Sequence, residues 1–128
     1  MAAGFIRLKQ RSDFLRVAAS GRKQVRPGVV LQVEYTPTDI RPEPDSKEIR
    51  VGFTVTRKIG KAVVRNKARR RLRAAADDTL RDYGKPGFDY VLIGRRTTLT
   101  HPYKKLVLEL RSALAHLHDD QGRQMIRD

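Results

Sequence analysis

Two stretches of the chain alternate apolar and polar residues, as a strand with one covered face does. The odd-numbered positions of residues 29–35 are Val, Leu, Val and Tyr, whereas Gln32 and Glu34 fall on the opposite face. Residues 49–56 repeat the pattern with Ile, Val, Phe and Val at every second position. Because successive side chains of a strand point to opposite faces, both stretches are predicted to be strands. We expect them to pair as an antiparallel hairpin.

A third stretch, residues 88–94, reads FDYVLIG and is almost continuously apolar. Such a run is typical of a central strand that is covered on both faces. The connection between the first two strands, residues 36–48, holds three prolines and four acidic residues. This composition predicts a long solvated loop.

Helical periodicity marks the two ends of the chain. Residues 8–19 form a short amphipathic pattern that Ser20 and Gly21 are suited to end. The alternative is that Ser12, followed by Asp13, caps a helix that begins there. Thr100 is a suitable N-cap for a final helix, and the polar tail from His118 onward is expected to be loose, as are residues 1–5. The predicted buried positions of the final helix are Tyr103, Leu106, Val107, Leu110, Leu114 and Leu117.

A basic helix is predicted between the second and third strands. The segment RKIGKAVVRNKARRRLR, residues 57–73, contains nine Lys or Arg residues and no acidic residue. Gly60 lets the chain turn into this helix, which ends by Gly84. Apolar residues recur at spacings of three and four, so one face of the helix packs on the core and the cations point outward. The apolar positions are Val64, Ala68, Leu72, Ala75, Ala76, Leu80 and Tyr83.

These elements give the order α-β-β-α-β-α, with room for a further short strand near residues 22–25. At 128 residues, without an internal repeat or a long linker, the chain is predicted to be a single domain ordered over about residues 7–117. The predicted fold class is α+β, a single-domain α/β sandwich of helices around a central sheet.

The charge of the chain points to a polyanionic partner. The formal net charge is +14 and the isoelectric point is near 10.9, and such a surplus is normally balanced by nucleic acid or a membrane surface. The basic helix lacks the Trp and Phe that favour membrane insertion, and no window approaches about 20 apolar residues. With no cysteine, the chain has no disulfide or thiolate nucleophile. We therefore expect a cytoplasmic nucleic-acid-binding protein.

Catalytic constellations are not evident in the sequence. His101, His116 and His118 are expected to be solvent-exposed, with no carboxylate placed to orient them. The acidic residues after the cations, Asp77, Asp78 and Asp82, are better explained by pairing with Arg81 or Lys85 than by a metal site. Asn66 can either contact RNA or make a local helix contact. Of the aromatic residues, Phe14 is the candidate for stacking on an unpaired base, whereas most of Tyr35, Phe53, Phe88 and Tyr90 are expected to be core.

The basic helix and the residues that lead into it resemble the bacterial ribonuclease P protein subunit. That family's signature is an Arg-Asn-Arg-type helix entered through a Lys-Lys-x-Gly-x-Ala-Val segment, which here reads RKIGKAVV followed by RNKARR. The resemblance covers about residues 7–117. Its upstream matches are Leu8, Lys9, Asp13, Phe14, Val17 and Gly21.

The resemblance implies a fold in which the basic helix lies in a left-handed βαβ crossover, as in the second domain of ribosomal protein S5. It implies an accessory subunit of an endoribonuclease, one protein per RNA, in which a catalytic RNA removes the 5′ leader of precursor tRNA and the ribonucleoprotein uses Mg²⁺. The implied RNA-binding residues are Arg57, Lys58, Lys61, Arg65, Asn66, Lys67, Arg69, Arg70 and Arg73. The implied leader cleft comprises Phe14, Gln32, Thr54, Thr56 and Arg95.

The sequence departs from the family pattern at a few positions. Ala18 and Gln32 stand where the family often has aromatic residues, so Gln32 with its threonine neighbours offers hydrogen bonds in place of stacking. Lys67 replaces the commoner second arginine, and Arg71 falls where an apolar residue is usual. The alternatives are a ribosomal or general nucleic-acid-binding protein, which would share the charge alone, and a freestanding nuclease.

Overall fold

The computed structural model describes residues 5–40 and 48–127, with side chains as far as residue 119. The elements in chain order are β1 (Phe5–Arg7), α1 (Arg11–Ala19), β2 (Lys23–Val25), β3 (Val29–Tyr35), β4 (Ile49–Thr54), α2 (Ala62–Tyr83), β5 (Phe88–Gly94) and α3 (Tyr103–Arg127). The three predicted helices and three main strands are confirmed, and β2 is the further short strand. Residues 1–4 of the predicted loose N-terminus, residues 41–47 of the predicted loop and the terminal Asp128 lie outside the described residues.

One five-stranded sheet has the strand order β1-β4-β5-β3-β2. Strand β5 runs parallel to β4 and antiparallel to β3, so its predicted central position is confirmed. The predicted hairpin of β3 and β4 is wrong, because β5 lies between them. A strand that is apolar on both faces loses most by lying at an edge, and the long connection before β4 leaves room for β5 to insert. The handedness of the β4-α2-β5 crossover stays a prediction.

Helix α2 packs on one face of the sheet through small and aliphatic side chains. Ala68, Leu72 and Leu80 are fully buried, as are both alanines at residues 75–76, which confirms the predicted stripe. The two ends of the stripe are less buried than its middle. Val64 lies in the first turn and is half-buried, and Tyr83, the last helical residue, is 43% exposed. The docked stripe leaves the opposite face of the helix to solvent.

Helix α3 packs beside α2 on the same face of the sheet. Four of its predicted positions, Leu106, Leu110, Leu114 and Leu117, are buried, and Tyr103 and Val107 pack partly buried against the same core. No helix in the described part of the chain combines the length and apolar character needed to cross a membrane.

The end of α3 differs from the sequence prediction. The helix continues past His118 to Arg127, so the loose tail predicted from residue 118 is wrong at its start. The Nε2 atom of His118 shares a 2.7 Å hydrogen bond with the hydroxyl of Tyr90, which also accepts the backbone N–H of Lys85 at 2.9 Å. Burial raises the pKa of Tyr90, so this hydroxyl stays neutral well above physiological pH.

Helix α1 covers part of the second face of the sheet. Leu8, Val17 and Val91 form a small buried cluster there, against which Phe14 packs. The ring of Phe14 lies over Gly52, where an added Cβ would come within 2.7 Å of its Cε1 atom. Helix α1 begins at Arg11, close to the alternative start at Ser12 and later than the start near Leu8. Leu8 instead continues the edge of the sheet after β1, and its N–H donates to the carbonyl of Val51 at 2.8 Å.

A buried ionic cluster joins α1 to the centre of the sheet. The carboxylate of Asp89, which has no exposed surface, pairs with Arg16 and lies 3.5 Å from Arg50. It also accepts the hydroxyl of Thr36 at 2.7 Å; Thr36 is buried, although the sequence placed it in a solvated loop. Burial lowers the pKa of Arg16, but hydrogen bonds and charge pairing with Asp89 and Asp13 outweigh it and raise the pKa above its ordinary value. The arginine is therefore a fixed cation at this junction.

Candidate nucleic-acid interface

The chain enters α2 through a 3₁₀ turn, Arg57–Ile59, followed by Gly60. Gly60 has φ 154° and ψ −168°, a backbone conformation that is essentially restricted to glycine. An added Cβ would lie 3.0 Å from Cγ1 of Val64 in the first turn of the helix. The predicted turn at Gly60 is confirmed, and it fixes how Lys58 and Lys61 approach the helix.

Replacing Gly60 with Ala is expected to lower the free energy of unfolding by about 1–3 kcal/mol. The cost combines backbone strain with the contact to Val64. Gly21→Ala is the matched control, because Gly21 also has a positive φ of 73° but an added Cβ would meet no atom within 4 Å. Urea unfolding of the two variants should show the larger loss for Gly60→Ala; equal losses would mean that the contact with Val64 adds nothing.

The outward face of α2 carries the predicted RNA-binding side chains at graded exposure. Lys61, Asn66, Lys67 and Arg70 are exposed. Three arginines, at positions 65, 69 and 73, are half-buried at the sides of the helix. No acidic residue occurs between residues 57 and 76, so most of these cations have no acidic side chain one turn away along α2, and phosphate groups are suited to balance their charge.

Two of the half-buried arginines have contacts that restrict their position. The Oδ1 atom of Asn66 accepts a hydrogen bond from Nη1 of Arg69 at 3.0 Å. The guanidinium of Arg73 lies over the ring of Phe53, 6.0 Å from its centroid. Of the two roles considered for Asn66, the local helix contact is therefore present in this structure, and it orients a cation of the same face.

Arg71 has a structural role instead of an outward one. Its Nε donates to the carbonyl of Thr98 at 2.8 Å and its Nη2 donates to the carbonyl of His101. Arg71, which falls where the family usually has an apolar residue, brings its guanidinium to the connection between β5 and α3. This residue thus ties the basic helix to the remainder of the domain.

The predicted leader-cleft residues Phe14, Gln32 and Thr54 lie on the second face of the sheet. Gln32 pairs with Val91 in the sheet register, and Thr54 pairs with Ile93. Helix α1 leaves this part of the sheet incompletely covered, since all three predicted residues and Ile93 are half-buried. The structure therefore brings an aromatic ring, an amide and a hydroxyl to the same face of the sheet, and the leader cleft itself stays a prediction.

Thr56 and Arg95 lie where β4 and β5 end. Together with Lys58 they line a surface pocket of about 400 Å³, to which Arg96 and Thr97 also contribute. The Nη1 atom of Arg95 donates to the carbonyl of Arg26 at 2.7 Å. Arg96 and Thr97 were not predicted as site residues, because nothing in the sequence separates them from other polar residues after a strand. The pocket adjoins the 3₁₀ turn that leads into the basic helix.

The histidine prediction is wrong for His101. Its Nε2 donates to Oε2 of Glu109 at 2.6 Å, and Oε1 of the same carboxylate accepts the N–H of Gly28 at 2.8 Å. The pair therefore holds the turn before β3 against α3. Asp78 accepts the hydroxyl of Tyr103, a partner different from the predicted Arg81 or Lys85. Within residues 5–40 and 48–119, no three His, Asp or Glu side chains gather as a metal site would require, so no protein ligands for Mg²⁺ are assigned.

Comparisons with known proteins agree with this arrangement. The Ribonuclease P family model matches residues 3–118. The ribonuclease P protein component of Paramagnetospirillum magneticum is 48% identical over 115 residues, which cover 89% of this chain and 84% of the relative. That of Ruegeria pomeroyi is 45% identical over 118 residues, covering 91% and 90%. The RNase P protein from Thermotoga maritima superposes with a TM-score of 0.61 at 27% identity, over 82% of this chain and 91% of that one. The chain, with its basic helix and the sheet on which that helix packs, is therefore a member of the ribonuclease P protein family.

Proposed function

We propose that this ribonuclease P protein binds the catalytic RNA of the enzyme through the outward face of α2. The observation that carries the proposal is a helix docked by one apolar face, with cations and one amide opposite it. Neutralising several phosphates releases their counterions, which supplies affinity that falls with salt. The proposed contacts are Arg57, Lys58, Lys61, Arg65, Asn66, Lys67, Arg69, Arg70 and Arg73.

The cleft on the other face of the sheet is proposed to hold the single-stranded 5′ leader of precursor tRNA. Phe14 presents an aromatic edge for base contact, and Gln32, Thr54 and Thr56 offer donors and acceptors. Arg95 and Lys58, which line one surface pocket, are proposed to contact phosphates. Thr56 and Arg95, from the proposed cleft, line this pocket together with Lys58, from the proposed contacts to the catalytic RNA. We therefore propose that one protein binds the leader and the catalytic RNA at once, with one protein per RNA, in the cytoplasm.

Cleavage itself is proposed to be performed by the RNA subunit. The side chains that line both surfaces are cations, amides, hydroxyls and a phenylalanine, which bind phosphates and bases. Mg²⁺ is then used by the ribonucleoprotein, and the protein's fixed positive charge lowers the Mg²⁺ concentration that the RNA requires.

Cleavage of precursor tRNA at low Mg²⁺ tests this proposal in three parallel reactions. These contain the protein alone, the ribonuclease P RNA alone, and both together. Release of the 5′ leader only in the mixture is expected. Cleavage by the protein alone would contradict the proposed division of roles, and no stimulation by the protein would contradict the proposed function, leaving a general RNA-coating protein.

Replacing Phe14 with Ala is expected to weaken binding of precursor tRNA to the ribonucleoprotein by about 5-fold or more, the loss of one base stacked on an aromatic ring. Binding of mature tRNA, which lacks the leader, should not change. The ratio of the two affinities corrects for any loss of folded protein. Leu15→Ala is the control, since Leu15 is the next residue of α1 and is 56% exposed. If Phe14→Ala left the ratio of the affinities for precursor and mature tRNA unchanged, Phe14 would not contact the leader.

A further inference from the structure

A second surface adjoins the basic face of α2. Two neighbouring pockets, of about 510 Å³ and about 340 Å³, lie between α2 and α3 and share Tyr103 in their walls. We call the surface that they form the α2–α3 groove. Besides Tyr103, its walls comprise Lys67, Arg70, Arg71, Ala74 and Asp78 from α2, and Lys104, Val107, Leu108 and Arg111 from α3.

Positive charge dominates this groove. Five of its lining residues are Lys or Arg, and Asp78 is its one carboxylate. Asp78 accepts the hydroxyl of Tyr103. Burial, followed by that hydrogen bond, raises the pKa of Tyr103 to about 12, so the tyrosine remains a neutral donor to the carboxylate. The groove therefore suits a polyanion.

The groove continues the proposed RNA-binding face without a break. Lys67 and Arg70 belong to both, and the small side chain of Ala74 leaves the next turn of α2 open. From Lys67 to Tyr83 the helix rises about 24 Å. At that far end the guanidinium of Arg111 lies over the ring of Tyr83, 5.3 Å from its centroid. An RNA strand that continues from the basic face along α2 can therefore contact cations over several nucleotides.

The groove also presents apolar surface between its cations. Leu108 is 59% exposed and Val107 is half-buried beside it. A sugar–phosphate backbone matches this mixture, because its phosphates pair with cations and its ribose carbons can pack on aliphatic side chains. An acidic protein surface would match the charge but would not extend the RNA path from Lys67 and Arg70.

We propose that the α2–α3 groove binds a second stretch of the catalytic RNA backbone, contiguous with the stretch on α2, and that Lys104 and Arg111 contact its phosphates. The inference rests on the proposed function and extends it to α3. The α3 cations then add to affinity for the catalytic RNA and have no direct contact with the 5′ leader, which lies on the opposite face of the sheet.

Paired substitutions test the groove. Lys104→Ala with Arg111→Ala is expected to reduce the slope of log K against log salt by about 1.4–1.8 for ribonuclease P RNA, and to weaken binding roughly 10-fold. Lys105→Ala with Lys85→Ala removes the same charge outside the groove, from two exposed positions, and should leave the slope within error of wild type. Equal slopes for the two double variants would overturn the inference.

Cross-linking provides a test that does not depend on stability. The chain has no cysteine, so Lys104→Cys and Lys105→Cys each introduce a single thiol for a photoreactive group. Residue 104 should cross-link to ribonuclease P RNA in the assembled complex and residue 105 should not. Equal RNA cross-linking from both residues, or cross-linking of residue 104 to a second copy of the protein, would overturn the proposed role of the groove and leave the proposed function intact. Failure of the wild-type protein to bind the RNA would overturn the proposed function as well.

Discussion

Replacing Arg65 and Arg69 together with Ala is expected to weaken binding to ribonuclease P RNA roughly 10- to 30-fold at about 0.15 M salt. Each arginine that neutralises a phosphate releases counterions, so the slope of log K against log salt should also fall by about 1.4–1.8. Both side chains lie half-buried at the sides of α2, and Arg69 is oriented by Asn66. Filter binding or fluorescence anisotropy between about 0.05 and 0.3 M salt measures both quantities.

The matched control for this measurement is the Lys85→Ala and Lys105→Ala double variant. It lowers the net charge by the same two units at exposed positions outside the basic face. If it flattened the salt slope as much as the Arg65 and Arg69 substitutions, the affinity would follow from net charge alone. Thermal unfolding of each variant excludes a loss of folded protein as the cause.

Replacing Asp89 with Asn is expected to lower the free energy of unfolding by about 3 kcal/mol. The change removes a buried negative charge and leaves Asp13 as the acidic partner that Arg16 and Arg50 still share. We place the loss at the low end for a buried pair, because the Arg16 side chain is 29% exposed and solvent screens it in part. Urea unfolding at neutral pH measures the effect.

Asp82→Asn is the control for Asp89→Asn, since Asp82 is exposed on the last turn of α2. Substitutions at such surface positions usually change stability by less than about 0.5 kcal/mol. If the two variants unfolded at the same urea concentration, the ionic cluster would contribute no more than a surface charge. Restoration of stability by a further change of Arg16 to Met would identify the excess positive charge in the cluster as the cause.

The strands show what the hydrophobic pattern can and cannot predict. Alternation identified β3 and β4, and the continuous apolar run identified β5, because each pattern reports the environment of one strand. Pairing depends on which strands meet, and here β5 separates the two strands that the sequence suggested as neighbours. The length of the connection over residues 36–48 was the one available sign, since a hairpin rarely needs so many residues. Strand β1, with three residues, was too short to show a pattern.

The candidate site likewise has features that the sequence could predict and features that it could not. The face of α2 could be predicted because its residues are neighbours along one helix, and the conformation of Gly60 follows from its place before that helix. The pairing of Arg16 with Asp89 could not, because 73 positions separate them and only the folded chain brings them together. The same holds for Glu109, whose carboxylate reaches both His101 and Gly28. Tertiary partners of polar residues leave no periodic signal in the sequence.

The small side chains beneath the basic helix affect how fast and at what entropic cost RNA can bind. Ala68 and the two alanines at residues 75–76 are fully buried, so the helix backbone lies close to the sheet and has little freedom to rock. Arg65, Arg69 and Arg73 then recur at a rise of about 6 Å along a stiff axis. We expect the backbone to keep this geometry on binding, so that association costs mainly side-chain entropy. Its rate should therefore be set by electrostatically steered diffusion, with no folding step.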